Sequence, residues 1–218
     1  MGKVIAIDGP SGAGKGTIAK LLAGELGFSY LDTGALYRAV ALALREKGIN
    51  PEDSDEKFKN ALSVTDVSFK NGKVSLNGKD VSEEIRTTEM GHYSSVFSAR
   101  KVVRDFLLDI QRSASLNADL VAEGRDMTTV VFPDAWKKFY LDASVEERAK
   151  RRYLQLKEKG INITESEAKK DVVERDVRDS GRDIAPLRKA DDAVLIDSSS
   201  MTIDKVLENI MKVVRAGP

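Results

Sequence analysis

Cysteine is absent from the 218 residues, which excludes disulfides and thiolate metal centres and fits a reducing compartment, with the cytoplasm as the expected location. Histidine is nearly absent too; His92 stands alone and is read as incidental. No apolar run approaches the roughly 18 residues a membrane span needs. Met1-Gly2-Lys3 runs straight into a short strand, so neither signal nor anchor is expected. An excess of one charge is also missing. The 35 basic residues balance 35 acidic ones, which argues against nucleic acid or an anionic membrane as main partner and makes any basic site local. With 5 prolines, 41% hydrophobic and 32% charged residues, the chain reads as one globular unit with its own core, expected to act as a monomer.

What is present is punctuated by glycine. Val4–Asp8 is an apolar, β-branched run stopped by Gly9-Pro10, the pattern of a buried parallel strand. Ile18, Leu21, Leu22 and Leu26 then recur at helical spacing until Gly27. A second strand is expected over 28–31 and a second helix over 35–47. Between Thr65 and Val81, short alternating segments surround Asn71-Gly72 and Asn77-Gly78; such pairs supply the positive φ of tight hairpin turns and predict a small antiparallel insert. A helix over about 102–116 follows, then strands at Leu120–Glu123 and 138–142, helices over about 145–159 and 165–179, and a strand over 193–197. The last helix, over 203–214, carries Val206, Ile210 and Val213 on one side. Strands alternating with helices imply an α/β fold, a five-stranded parallel sheet covered on both faces.

The first strand runs into Gly9-Pro10-Ser11-Gly12-Ala13-Gly14-Lys15-Gly16-Thr17. A glycine-rich turn between strand and helix lets successive backbone N–H groups surround an anion, and the helix N-terminus adds partial positive charge. Lys15 can reach the outer phosphates of a nucleoside triphosphate, and a hydroxyl at the helix start can ligate Mg2+. The usual motif has Ser or Thr directly after the lysine; here Gly16 stands there and the hydroxyl follows at Thr17. The bland alternative is a merely flexible loop, which the strand-to-helix setting argues against. Such a loop binds phosphate without naming a reaction.

Four further clusters lie along the chain. Asp32-Thr33-Gly34-Ala35-Leu36-Tyr37-Arg38 sits where the second strand meets its helix, and its amides with Arg38 make a seat for a monophosphate; Thr33 as a plain helix cap and Tyr37 as a core residue are the alternatives. Glu84-Ile85-Arg86 leads on to Ser95 and Arg104, which alone would read as a solvated helix face. Glu123-Gly124-Arg125-Asp126 ends the third core strand, and ligands of open α/β sheets bind beyond the carboxyl ends of strands; an internal Arg125–Asp126 salt bridge is the alternative. Arg175, Asp179 and Arg182 share one helical face, behind the basic run of Arg148, Arg151 and Arg152.

Together these clusters and the Gly16-Thr17 form of the loop resemble the nucleoside monophosphate kinases, above all the bacterial cytidylate kinase family, over nearly the whole chain. The resemblance implies a P-loop NTPase fold with a core of 1–34, 101–145 and 180–218, an acceptor-binding region with the β insert at about 35–100, and a helical lid at about 146–179. It implies transfer of the γ-phosphoryl group of ATP to CMP or dCMP. By that likeness Gly9 to Thr17 and Arg151 hold ATP, Thr17 holds Mg2+, and Thr33, Gly34, Tyr37, Arg38, Gly124 and Arg125 line the acceptor seat. Ser95, Arg104 and Asp126 contact cytosine, and Arg175 and Asp179 hold the ribose. Lys15, Arg125, Arg148, Arg152 and Arg182 attend the moving phosphoryl group. The family often has Ser where Thr33 stands and carries Asp where Glu123 stands. The rivals are a P-loop kinase acting on UMP, shikimate or dephospho-coenzyme A, or a non-enzymatic nucleotide-binding switch or RNA-binding module. Neutral charge counts against RNA, and a second phosphate seat against a switch.

Overall fold

In the computed structural model, which describes residues 2–216, the run Val-Ile-Ala-Ile-Asp is a strand buried at every position. Met1, which the sequence places ahead of that strand, lies outside the described residues, as do Gly217 and Pro218. Along the chain come β1 (Val4–Asp8), α1 (Lys15–Leu26), β2 (Ser29–Asp32), α2 (Thr33–Glu46) and α3 (Asp55–Ser63). Then follow β3 (Val67–Lys70), β4 (Lys73–Leu76), β5 (Lys79–Asp80), α4 (Thr88–Phe97), α5 (Lys101–Ser113), β6 (Leu120–Glu123) and β7 (Lys137–Asp142). Helices α6 (Val145–Glu158) and α7 (Glu165–Gly181), β8 (Val194–Asp197) and α8 (Ile203–Arg215) complete it.

Five strands form the expected parallel sheet in the order β2-β6-β1-β7-β8. β1 is apolar throughout because it is central and both of its faces are covered. Alternation divides the side chains between two cores. Val4, Ala6, Leu120 and Ala122 pack with α2 and α5, while Ile5, Ile7, Val121 and Phe139 pack with α1 and α8. The first core extends to Phe58 and Phe97, whose rings meet edge to face at 5.6 Å. β3, β4 and β5 form the antiparallel insert, and its two turns carry Asn71 and Gly72 at φ 54° and 76° and Asn77 and Gly78 at φ 50° and 82°.

Two helices are not visible in the sequence pattern. α3 starts at a short cap, the Ser54 hydroxyl accepting the Lys57 N–H at 3.4 Å. α4 contains Gly91, Tyr93, Ser94 and Ser95, poor helix formers, and is held by burying Met90 and Phe97. The helix expected over 102–116 stops at Ser113, because the Ser113 and Ser115 hydroxyls turn back onto the Ile110 and Arg112 carbonyls and Leu116 is left exposed. In α8, Val206 and Ile210 are buried together with Met211 and Val214, and Val213 is half-buried against the same core. No helix among the described residues is long and apolar enough to cross a membrane.

Candidate active site

Glycine sets the path of the chain as it leaves β1. Gly9 has φ 150°, and a Cβ there would stand 1.9 Å from the Leu141 carbonyl oxygen of β7. The following turn delivers the chain into α1 through Gly14 with no side-chain cap, whereas Asp32 caps α2 and Ser144 caps α6. The first N–H groups of α1 are thereby left for an anion. Lys15 folds back over the loop and its Nζ donates to the Pro10 carbonyl at 2.8 Å. Burial, aided by Arg125, pushes its pKa down to about 7, with Glu123 opposing.

One cavity of about 830 Å³ runs from this loop along the carboxyl edge of the sheet. It is lined by Ser11 to Thr17, by Thr33, Gly34, Tyr37 and Arg38, and by Ser95 and Arg104. Gly124, Arg125, Asp126, Arg151, Arg152, Arg175, Asp179 and Arg182 line it as well. Gly9, Pro10 and Arg148 do not reach it. Arg148 lies behind the loop: its Nε donates to the Ala143 carbonyl at 2.9 Å, its Nη1 to the Ser11 carbonyl at 3.1 Å, and it pairs with Asp176 of α7. Arg151 holds Ser198 through Oγ at 3.0 Å and the carbonyl at 2.7 Å, and Arg152 holds Asp171 at 3.0 Å.

At the far end the charges pair across the fold rather than along the chain. Asp126 takes the buried Arg104 of α5, which also donates to the Ser98 carbonyl at 3.1 Å. Arg125 turns instead to Asp179 of α7, Nε to Oδ2 at 2.9 Å, and Ser95 Oγ donates to Oδ1 of the same carboxylate at 3.2 Å. Burial pushes the Asp179 carboxyl up, but Arg125 and Arg175 pull harder and leave it below the usual range. Arg175 Nε, which stands 3.9 Å from the Asp179 carboxylate, and Arg182 Nη2 are buried donors that make no hydrogen bond, so this end of the cavity has donor capacity left for an anion. Burial and then Arg125 push Arg175 down to about 9. Burial lowers Arg38 as well, opposed by Asp32 and Glu123.

Between the two ends stand Asp32 and Glu123, register partners on adjacent strands. Burial first, then Asp32, raises the Glu123 carboxyl to about 7. Asp32, not Thr33, caps α2, its Oδ1 accepting the Ala35 N–H at 2.9 Å. The Thr33 hydroxyl donates to the Glu123 carbonyl at 2.7 Å and ties the start of α2 to the end of β6.

A profile of the family described as Cytidylate kinase matches residues 5–216. The chain belongs to the cytidylate kinase family. It is 53% identical over 216 residues to the Cytidylate kinase of Thermodesulfovibrio yellowstonii, covering 97% of each chain. It is 51% identical over 211 residues to that of Thermosipho melanesiensis, covering 97% of this chain and 96% of the other. The fold is similar to that of a shikimate kinase from Bacteroides thetaiotaomicron, with a TM-score of 0.50 at 10% identity over 97% of this chain and 98% of that one, which is a likeness of fold alone.

In this cytidylate kinase family member the cavity also has a stretch to which no sequence cluster points: Met201, Thr202, Ile203 and Val206, which line it together with Leu154. The signal was positional. Thr202 opens α8 just beyond β8, and cavity walls of open sheets gather beyond the carboxyl ends of strands.

Proposed function

We propose that this member of the cytidylate kinase family transfers the γ-phosphoryl group of ATP to CMP or dCMP, giving ADP and CDP or dCDP. The observation that carries the reading is the single cavity joining the Lys15 loop to Arg38, Arg125 and Arg182. Phosphoryl transfer needs little covalent help from a protein; it needs two nucleotides held end to end and cations around the charge that spreads over the moving group. The loop N–H groups and Lys15 hold the donor phosphates, with the donor base toward Leu154 and Ile203. Thr33, Gly34, Tyr37, Arg38 and Arg125 take the acceptor phosphate. The donors of Arg175 and Arg182 that make no hydrogen bond support an anionic occupant, with Arg182 on the moving group and Arg175 and Asp179 on the ribose. Arg104 and Ser95 donate to the acceptor atoms of cytosine, and Asp126 accepts from its amine, which a uracil carbonyl cannot satisfy.

The residues fit Mg2+. The Thr17 hydroxyl and the Asp32–Glu123 pair are oxygen donors, and a Glu123 carboxyl raised by burial and by Asp32 beside it is one that a hard cation would favour in its charged form. Mg2+ held there would supply positive charge that offsets the charge of the phosphates. α6 and α7 act as the lid over the reacting groups, residues 35–100 form the acceptor-binding region, and the rest forms the core. One chain supplies the whole wall, which supports a monomer, and the absence of cysteine fits the cytoplasm.

Assay with ATP against CMP, dCMP, UMP, AMP, shikimate and dephospho-coenzyme A tests the reading. Turnover of CMP and dCMP with the others slow is expected. Preference for another acceptor, or ATP hydrolysis that no acceptor stimulates, would reject it.

A further inference from the structure

Asp8 is the last residue of β1, immediately before the phosphate loop, and it is fully buried and forms no part of the cavity wall. Its carboxylate accepts three hydrogen bonds, all from the two residues after Asp126. Met127 N–H reaches Oδ1 at 2.9 Å, and Thr128 N–H and Oγ1 reach Oδ2 at 2.7 and 2.6 Å. There the chain makes a π-helical turn, Met127–Val131, in which the Asp126 carbonyl accepts from Val130 at 2.9 Å and Val131 at 3.1 Å. The first N–H groups of a helical turn have no partner inside it, and Asp8 takes two of them. Turns of this type are uncommon and gather at functional sites. Asp126 itself, at φ −145°, projects to Arg104 from the residue just before the clamped pair. On its other side Asp8 is bonded to Gly9, which is wedged against the Leu141 carbonyl. One buried carboxylate therefore links the phosphate loop to the base-facing pair.

We infer that Asp8 and Thr128 are positioning residues for the reaction: their hydrogen bonds fix the Asp126–Arg104 pair relative to the phosphate loop, and so set affinity and selectivity for the acceptor base without touching either nucleotide. This rests on the proposed role of Asp126 at cytosine. The clamp needs the carboxylate, since a protonated acid turns one acceptor oxygen into a donor that faces N–H groups. Burial raises the Asp8 pKa to about 6, and the Thr128 hydroxyl is the largest influence holding it down. The charged and titratable groups facing Asp8 are Asp126, Lys15 and Tyr140. Removing the Thr128 hydroxyl drives the Asp8 pKa upward.

The test is steady-state kinetics on CMP and UMP from about pH 5 to pH 8, with melting temperatures, for the wild type, Thr128→Val, Thr128→Ser and Asp126→Asn. Thr128→Val is expected to raise KM for CMP roughly five- to tenfold, keep KM for ATP within about twofold, and narrow CMP over UMP discrimination. It is also expected to move the acid limb of kcat/KM for CMP to higher pH, and Thr128→Ser to bring the limb back. The CMP phosphate titrates near pH 6 in every variant, so the displacement between variants is the readout. A Thr128→Val protein that melts earlier but keeps its CMP KM, discrimination and acid limb overturns the clamp. Should that variant not fold, Asp8→Asn takes its place, with the same split between CMP and ATP expected and equal changes in both KM values counting against the clamp. Discrimination lost in Asp126→Asn but intact in Thr128→Val overturns the clamp alone. Discrimination intact in Asp126→Asn overturns the base-site reading and the clamp with it.

Discussion

Asp176 of α7 accepts the backbone N–H of Ser11 at 3.3 Å, so a carboxylate of the chain itself sits at the rim of a loop shaped for phosphate. The same carboxylate pairs with Arg148, which holds the Ser11 carbonyl. An incoming triphosphate competes with that anion. Asp176→Asn is expected to tighten ATP binding roughly three- to tenfold, in line with about 1 kcal/mol for a hydrogen bond to a charged group diluted by partial exposure. Calorimetric titration with a non-hydrolysable ATP analogue measures it, and unchanged or weaker binding would show that Asp176 does not compete.

Lys15 couples ATP binding to proton uptake. With its pKa near 7 it is mostly neutral at pH 8 in the nucleotide-free chain, and phosphates placed against it favour the ammonium form. ATP binding at pH 8 should take up nearly one proton, seen as a dependence of the binding heat on the ionisation enthalpy of the buffer. Lys15→Met should abolish the uptake and lower turnover by roughly a thousandfold. Between about 7 and 10.5 the unfolded chain holds the extra proton, so the cost of burying Lys15 is relieved as pH rises through that window. The variant should therefore melt no earlier than the wild type at pH 7.

Gly124→Ala tests the joint between β6 and α2. A Cβ there would lie 2.7 Å from Thr33 Oγ1 and 2.9 Å from the Met127 side chain. The Thr33–Glu123 hydrogen bond has to yield, and a loss of about 1–3 kcal/mol in urea unfolding is expected together with a raised KM for CMP. Full stability with an unchanged KM would mean that the joint gives way freely.

Arg175 lies on α7 with a buried Nε that makes no hydrogen bond and only a long 3.9 Å ion pair to Asp179, and it is crowded by Arg125. Arg175→Met should raise the melting temperature, because an incompletely paired buried cation costs stability, while raising KM for CMP at least tenfold. A variant that loses both stability and affinity would mark the arginine as a structural element only.

Much of this was legible in the sequence because short-range rules govern it. Gly9 and Gly124 follow strands directly, and Asn71-Gly72 and Asn77-Gly78 announce their turns by the φ angles they accept. Partner choice was not legible. Arg125 and Asp126 are neighbours in sequence and invite pairing, yet successive side chains at a strand end point apart, and their partners lie on α7 and α5. Arg148, Arg151 and Arg152 share one face of α6 by helical spacing, yet Arg148, one turn nearer the helix start, is engaged behind the loop by Ser11 and Asp176 while the other two line the cavity. α4 stayed hidden because its helicity comes from Met90 and Phe97 finding a core, a long-range gain that local propensity does not record.

The central place of β1 also has a consequence for how the protein is made. Its neighbours pair as Val4 with Leu120 and Ile5 with Lys137, so both arrive late on the ribosome. At ~5–20 residues per second the first of them is synthesised roughly 6 to 22 s after Asp8. During that interval β1 of the nascent chain can be covered on its two faces by α1 and α2, through Ile18 and Leu22 and through Leu36 and Val40, but has no strand on either edge, which makes the early chain a client for a holding chaperone until its sheet can close.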